Sequence, residues 1–258
     1  MGTDRYAYAS SLRRTEPLSK LFLTALATVI CLVSDTAAVG VVTLLAMSAL
    51  SMGLGGTSPR VLLRFFRLPL AFLLIGCLTI LLERQPLGTP MLLALPVGGS
   101  LWGLTPGSLG LGMRIFWKAM GVIACMYFLA LNTPMTDLTL GLERLHVPRL
   151  FVELMELIYR FIFVLTDVMG RIRTAQESRL GYVGFRRSME SAGVLSSIVF
   201  LRAWRKGDRV YAALESRGYT GSLATLAPEY ESGRGLCIWA AAVAVLQLAV
   251  LLVERQVF

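Results

Sequence analysis

The chain has 258 residues, of which 55% are hydrophobic, and it carries a formal net charge of +9. That apolar content exceeds what the core of a soluble protein requires, so it excludes an ordinary soluble domain and indicates lipid surroundings. The basic excess comes without a zinc-finger, helix-turn-helix or RNA-binding pattern, so no nucleic-acid partner is expected. The lipid membrane accounts better for the charge.

Four apolar segments precede a long polar region, and a fifth follows it. A helix of about 20 residues crosses the hydrocarbon core of a bilayer, and most of these segments approach that length. The predicted fold is therefore an all-α integral membrane protein with about five transmembrane helices. The predicted spans are Pro17–Val33, Ala37–Leu54, Val61–Leu82, Gly110–Leu131 and Leu236–Val253.

Three parts are expected: a membrane domain with four spans (1–132), a cytoplasmic region of amphipathic helices (133–235) and a final transmembrane helix (236–258). With a cytoplasmic amino terminus, 21 of the 25 basic residues lie on the inside, as the positive-inside tendency requires. The predicted location is the cell inner (cytoplasmic) membrane, with several passes. Arg114 and Lys118 are exceptions that share one face near the outer start of the fourth span, where they snorkel or face a partner.

Segments outside the spans carry few signals for chemistry. The outer segment Glu83–Leu109 is rich in proline and glycine and is predicted to be a loop, with a partly embedded stretch at Met91–Val97. The only histidine, His146, stands beside Pro148 and is interpreted as a loop or helix-end residue. The cysteines show no CxxC spacing and are interpreted as small buried hydrophobes, so no metal site and no cofactor is predicted. They are Cys31, Cys77, Cys125 and Cys237.

The polar region is predicted to begin with a short helix from Thr136 to Leu145 and a long one from about Arg149 to Thr174. Polar side chains share one side of the long helix because of their spacing. They indicate a salt-bridged face; the alternative is a carboxylate relay for protons or cations, which requires the helix to lie inside the bilayer. The polar residues of this stripe are Glu153, Glu156, Arg160 and Asp167.

A repeated motif is the most informative feature of the chain. Ala175-Gln176-Glu177-Ser178-Arg179 and Ala213-Leu214-Glu215-Ser216-Arg217 match at four of five positions, and a Gly-Tyr pair follows each copy. Each copy joins a helix-compatible run to a glycine that can end it, so each arginine is predicted on the last turn of a helix. The arginines are 38 positions apart, which leaves room for helix, connection and helix.

The second copy runs from Arg217 directly to Gly218, whereas Leu180 intervenes in the first. The first helix is therefore predicted to end one residue later, and the two copies are not expected to make equal contacts.

Two interpretations of the motif differ in what the arginines do. In the first, they sit at helix C-termini because cations favour the negative end of the helix dipole, worth about 0.3–1 kcal/mol when exposed. In the second, each arginine presents its rigid fork of donors to a partner's carboxylate, and such a bond contributes about 1.5–3 kcal/mol. Helix stability does not require the same positions twice, so the duplication favours recognition.

At these residues the chain resembles the T component of energy-coupling factor transporters, a family marked by two Ala-x-x-Ser-Arg-Gly-like motifs at the ends of cytoplasmic coupling helices. It is most similar to the cobalt-system members, called CbiQ, over the wider run from Leu131-Asn132-Thr133-Pro134 through Glu156-Leu157-Ile158-Tyr159-Arg160 to Arg217-Gly218-Tyr219. The resemblance covers the carboxyl-terminal half well, while the first three spans match only as hydrophobic segments.

The resemblance implies a non-catalytic subunit of an ATP-driven importer. Its partners would be two ABC ATPase subunits (CbiO-like), a substrate-binding membrane subunit (CbiM-like) and a small CbiN-like subunit, with cobalt ion as cargo. The residues implied to insert into grooves on the two ATPases are Ala175, Ser178 and Arg179 of the first copy and Ala213, Ser216, Arg217 and Gly218 of the second.

Other function classes remain as alternatives. A T subunit of a nickel or vitamin importer would use the same architecture. An intramembrane enzyme whose arginines bind phosphate or a lipid head group would need a catalytic motif, and the chain contains no HExxH, nucleophile elbow or GxxxxGK[ST] phosphate loop. A membrane scaffold for signalling proteins would need no nucleotide-dependent motion, so ATPase co-purification separates it from a coupler.

Overall fold

A computed structural model describes the backbone of residues 2–81, 83–85, 93–97, 100–219 and 230–257. Helices dominate these ranges, and a short 3-10 turn at Ser11–Arg14 separates the first two. The helices are α1 (Gly2–Ala9), α2 (Pro17–Val33), α3 (Ala37–Gly53), α4 (Pro59–Leu81), α5 (Pro106–Asn132), α6 (Met135–Arg144), α7 (Arg149–Ser178), α8 (Phe185–Glu215) and α9 (Arg234–Val257).

The apolar helices confirm the predicted helical membrane fold. By length and hydropathy α4, α5 and α9 are able to cross a membrane, and α2 and α3 are shorter apolar helices of 17 residues each. Seventeen residues rise about 26 Å, against a hydrocarbon core of about 30 Å, because each residue adds 1.5 Å. Crossing by α2 and α3 therefore stays a prediction, and tilt or bilayer thinning would accommodate the shorter pair.

The outer segment differs from the predicted loop. Strands β1 (Glu83–Gln85), β2 (Leu93–Val97) and β3 (Ser100–Leu104) form an antiparallel sheet in the order β1-β3-β2. The prediction of a loop was wrong for these strands, because β2 pairs along its whole length with β3, from Leu93 opposite Leu104 to Val97 opposite Ser100. Membrane embedding of the stretch Met91–Val97 stays a prediction, and Met91 and Leu92 lie outside the described residues. Two glycines between two short runs are a hairpin signal that the sequence did carry.

The described chain divides into two compact units, residues 1–138 with 229–258, and residues 139–228. The first unit, called here the membrane unit, has its apolar core around Leu23, Met47 and Phe128, each at most 1% exposed.

Helices α3 and α5 approach each other closely because glycines face each other across the contact. A Cβ on Gly40 would lie 2.5 Å from the carbonyl carbon of Trp117, and one on Gly121 would lie 2.8 Å from the Gly40 oxygen. Small residues let helix backbones pack at short range in membranes, where dispersion replaces the hydrophobic effect as the attraction between helices.

Polar side chains also join the membrane helices. Gln247 of α9 is fully buried and donates from Nε2 to the Ala27 carbonyl (3.1 Å) and to Thr43 Oγ1 (2.7 Å), so one side chain bridges three helices. Near the middle of α5, Lys118 lies 3.6 Å from the Asp35 carboxylate and forms an ion pair within the chain.

The cysteines divide into two groups. Cys31 and Cys125 are buried, as predicted, and Cys77 is half-buried. The prediction was wrong for Cys237, which is exposed in the first turn of α9.

The second unit, called here the polar unit, is dominated by α7 and α8. The predicted helix, connection and helix between the two arginines is instead the single 31-residue helix α8, in which no residue is buried. The glycines in this stretch do not interrupt it, because a glycine inside a helix costs only about 1 kcal/mol. Two residues of the polar stripe on α7 have partners. Asp167 forms an ion pair with Arg171, and Glu153 accepts a hydrogen bond from Tyr219.

Candidate functional site

Both copies of the motif lie at the carboxyl ends of the two longest helices. The first copy ends α7, which stops at Ser178, and the second ends α8, which stops at Glu215. In the register of the motif α7 is thus one residue longer, as the intervening leucine predicts. Arg179 directly follows the last residue of α7, and Arg217 lies two residues after the last residue of α8.

The hydrogen bonds at the two ends are nevertheless the same. In the first copy the N–H of Leu180 donates to the Glu177 carbonyl (3.0 Å) and that of Gly181 to the Gln176 carbonyl (2.9 Å). In the second, Gly218 donates to Glu215 and Tyr219 donates to Leu214, both at 3.0 Å. This is the Schellman pattern, in which a left-handed residue turns the chain away from the helix. Arg179 and Arg217 therefore occupy equivalent positions.

The residue that makes the left-handed turn differs between the copies. Gly218 has φ +75°, as the sequence predicts, but in the first copy Leu180 takes this position with φ +58°. The expectation that Gly181 ends α7 was wrong. Gly181 is instead needed where a Cβ would lie 2.8 Å from Ser191 Oγ and 2.9 Å from the Gln176 carbonyl oxygen.

The strain at Leu180 leads to a prediction. A left-handed conformation costs a residue with a side chain about 1–2 kcal/mol. Leu180→Gly is therefore expected to slow hydrogen exchange of the last-turn amides of α7 by about fivefold, which corresponds to 1 kcal/mol. The reciprocal variant Gly218→Leu, which meets no atom within 4 Å of its Cβ, is expected to speed exchange at the end of α8. Unchanged exchange in both variants would contradict this account.

All seven predicted site residues are exposed. These are Ala175, Ser178, Arg179, Ala213, Ser216, Arg217 and Gly218. Both serine hydroxyls donate to carbonyls of their own helices, Ser178 to Thr174 (2.9 Å) and Ser216 to Ala213 (3.0 Å). The ion pairs among the described residues do not include Arg179 or Arg217. Each end therefore offers a guanidinium beside an alanine surface.

Side chains on α8 and in the loop brace the first end. Gln176 donates from Nε2 to the Ser191 carbonyl (3.0 Å) and accepts at Oε1 from the Tyr182 hydroxyl (2.9 Å). Ser191 Oγ in turn donates to the Gly181 carbonyl (2.7 Å). The Arg173 guanidinium lies over the Tyr182 ring at 5.7 Å and pairs with Glu177 at 2.9 Å. Sequence analysis did not single out Gln176 or Ser191.

The second end is held against the start of α7. The Tyr219 hydroxyl donates to Glu153 Oε2 (3.0 Å), and this bond raises the pKa of the tyrosine because it stabilises the protonated form. Both motif tyrosines thus donate to acceptors on α7, and the Gly-Tyr pair after each copy was the signal for them. The acceptors Gln176 and Glu153 lie 23 residues apart, about 35 Å along the helix. The two arginine ends therefore lie at opposite ends of the α7–α8 pair.

A third helix end shows that the cap does not depend on the motif. Helix α6 closes with the same bonds, from His146 to the Glu143 carbonyl (3.1 Å) and from Val147 to that of Leu142 (3.3 Å). His146 occupies the left-handed position with φ +62°, so it is a helix-end residue as predicted. Because α6 ends in this way without Ala-x-Glu-Ser-Arg, capping alone does not explain why that sequence is repeated.

The fold and these paired helix ends define a helical membrane protein whose polar unit exposes two equivalent arginine ends. The CbiQ family of cobalt transport proteins matches residues 8–226, and the chain belongs to this family.

Curated relatives agree with this assignment. The CbiQ cobalt transport protein of Salmonella typhimurium is 30% identical over 223 residues, which cover 85% of this chain and 97% of the relative. A protein of Methanocorpusculum labreanum described as a fused cobalt transport protein CbiMQ is 30% identical over 228 residues, 88% of this chain but only 38% of the relative. An uncharacterized protein of Methanocaldococcus jannaschii is 30% identical over 223 residues, 86% of this chain and 82% of the relative. The chain is a component of cobalt transport.

Proposed function

We propose that this chain is the transmembrane coupling subunit of an energy-coupling factor importer in the cell inner membrane. The two arginine ends dock into two cytoplasmic ABC ATPases, and closure of the ATPase pair on ATP moves α7 and α8. That motion is passed to a separate membrane subunit that binds the substrate, cobalt ion. The chain performs no catalysis itself.

One observation carries this proposal: two equivalent, exposed arginine ends at opposite ends of one helix pair. About 35 Å of α7 separates the points at which the ends are braced. Two like sites at such a separation suit a partner that is itself a pair, with one arginine for each ATPase. Each guanidinium, at the end of its helix, then binds a carboxylate of an ATPase. Its five donors favour a bidentate contact.

The surface of α8 supports a second contact. No residue of this helix is buried, and the apolar side chains along it include Phe185 at 84% exposed and Trp204 at 65%. Large exposed apolar side chains in a row mark surfaces that other proteins cover. A relative described as a fused CbiMQ protein supports a CbiM-like membrane subunit as one of the covering partners, and a small CbiN-like subunit is proposed beside it.

Purification from the native membrane tests the proposal. The tagged chain, extracted in mild detergent, is expected to retain an ATPase and a second membrane subunit, and the complex is expected to hydrolyse ATP. Mass spectrometry identifies the partners, and uptake of Co²⁺ by vesicles containing the complex tests the cargo. Uptake of Ni²⁺ or a vitamin instead of Co²⁺ would change the substrate assignment but support the coupling role. Recovery of the chain alone, without ATPase activity, would overturn the proposal.

A further inference from the structure

The segment from Ser10 to Lys20, called here the N-terminal clamp, contacts both places where the chain passes between the membrane helices and the polar region. The first crossing follows Asn132, the last residue of α5. The second precedes α9 and includes Glu231 and Gly233. Residues far apart in sequence are thus held by one short segment.

Buried polar contacts hold the first crossing. Asn132 is fully buried and accepts at Oδ1 from Ser10 Oγ (2.7 Å), and Ser10 also donates to the Gly55 carbonyl (3.1 Å). The Lys20 ammonium, also fully buried, donates to the backbone carbonyl of Asn132 (3.1 Å). A Cβ on Gly55 would lie 2.0 Å from Asn132 Oδ1, so nothing larger than glycine fits beside the amide.

Backbone bonds hold the second crossing. The Glu231 N–H donates to the Arg14 carbonyl (2.8 Å), and the Glu16 N–H donates to the Glu231 carbonyl (3.3 Å), which makes a short parallel bridge between Thr15 and Glu231. Two residues later Gly233 lies against Ser19, since a Cβ there would overlap Ser19 Oγ at 1.8 Å. The start of α9 is therefore packed on the first turn of α2.

Stability alone does not account for Lys20. Apolar side chains of similar volume often replace buried charged groups with no loss of stability, whereas an unpaired buried charge is strongly destabilising. The carboxylate of Asp137, which is 9% exposed and belongs to the first turn of α6, acts electrostatically on Lys20. The lysine thereby links α2 to the residues through which the chain enters the polar region.

We propose that the N-terminal clamp consists of positioning residues that fix both crossings to the membrane helices, so that movement of α7 and α8 is transmitted instead of being absorbed in the connecting segments. This inference rests on the proposed coupling function. It assigns the step between the polar helices and the membrane helices to Ser10, Lys20 and Asn132 together with the bridge at Glu231.

The test uses the complete transporter, reconstituted in phosphatidylethanolamine–phosphatidylglycerol vesicles, with Co²⁺ as the probe. Lys20→Met and the charge-balanced Lys20→Met, Asp137→Asn are expected to lower the Co²⁺ taken up per ATP hydrolysed by about fivefold or more, the lower end of typical coupling between sites. ATPase retention and ATP hydrolysis are expected to stay within about twofold of the original protein, because the docking ends are unchanged. Lys118→Met, the same substitution elsewhere in the membrane unit, is the matched control and is expected to leave the ratio unchanged.

A disulfide tests the clamp without removing a contact. Backbones paired across a bridge lie within the Cα separation that a disulfide spans, so Thr15→Cys with Glu231→Cys, in a Cys237→Ser background, is expected to cross-link and remain fully coupled. Normal coupling in both Lys20 variants, or uptake lost on oxidation and restored by reduction, would overturn the inference. The arginine variants are expected to lose the ATPases, whereas the Lys20 variants are expected to retain them, so failure of the proposed function is distinguishable from failure of the clamp.

Discussion

The double variant Arg179→Ala, Arg217→Ala is expected to lose its ATPase partners during purification and to show no ATP-driven Co²⁺ uptake. A charge-assisted hydrogen bond contributes about 1.5–3 kcal/mol, so each arginine lost is expected to weaken retention by about tenfold or more. Both guanidinium groups are exposed, so the substitutions remove no internal support, and the same kind of helix end forms at α6 with Leu145 in the position of the arginine.

Arg202→Ala is the matched control for this experiment. It removes another exposed arginine, from the middle of α8, and normal ATPase retention is expected. Expression and the melting temperature of the chain in detergent check that all variants are folded. Full uptake by the double variant at normal expression would show that the arginines do not dock the ATPases.

Gly121→Ala is expected to disrupt the packing of α3 on α5 and to lower the stability of the membrane unit by about 3 kcal/mol, at the upper end for overpacked cores. The added Cβ would meet the Gly40 carbonyl oxygen at 2.8 Å and the Cys31 sulfur at 3.2 Å, and backbone atoms on a packed helix cannot turn aside. Gly40→Ala meets Trp117 backbone atoms at 2.5 Å and is expected to act similarly. Thermal unfolding in detergent measures both effects.

Gly110→Ala makes the same substitution on the same helix, where nothing lies within 4 Å of the new Cβ. It is expected to leave stability unchanged or to raise it by up to about 1 kcal/mol, because alanine favours the helix more than glycine does. If Gly121→Ala and Gly110→Ala unfold at the same temperature, close packing between α3 and α5 is not what holds these helices together.

The lengths of the apolar helices and the repeated motif could both be predicted from the sequence. The apolar segments predict the bounds of the membrane helices to within a few residues. A helix that crosses the bilayer needs a continuous apolar run of a set length, and such a run is visible in the sequence. The motif predicts two helix ends for a related reason, since a glycine shortly after a polar turn is a local signal. Arg179 lies one residue beyond α7 and Arg217 two residues beyond α8, close to the last-turn positions that were predicted for them.

Contacts between segments far apart in the sequence could not be predicted from such local patterns. Strand β2 was taken for a loop because its partner β3 provides the bonds that define it, and α8 was divided because its polar and apolar stretches alternate within one continuous helix. The left-handed turn at Leu180 departs from the preference for glycine, and contacts of Gly181 with Ser191 explain why the glycine stands one residue later.

The class of protein, the extent of its apolar helices and the two arginine ends could be predicted from the sequence, because each depends on residues that are neighbours along the chain. Folding was needed to bring Gly40 to Gly121, Tyr219 to Glu153, and Lys20 to Asn132 in a buried contact. Those contacts join residues many positions apart, and their burial and geometry depend on how the helices pack, which no local pattern encodes.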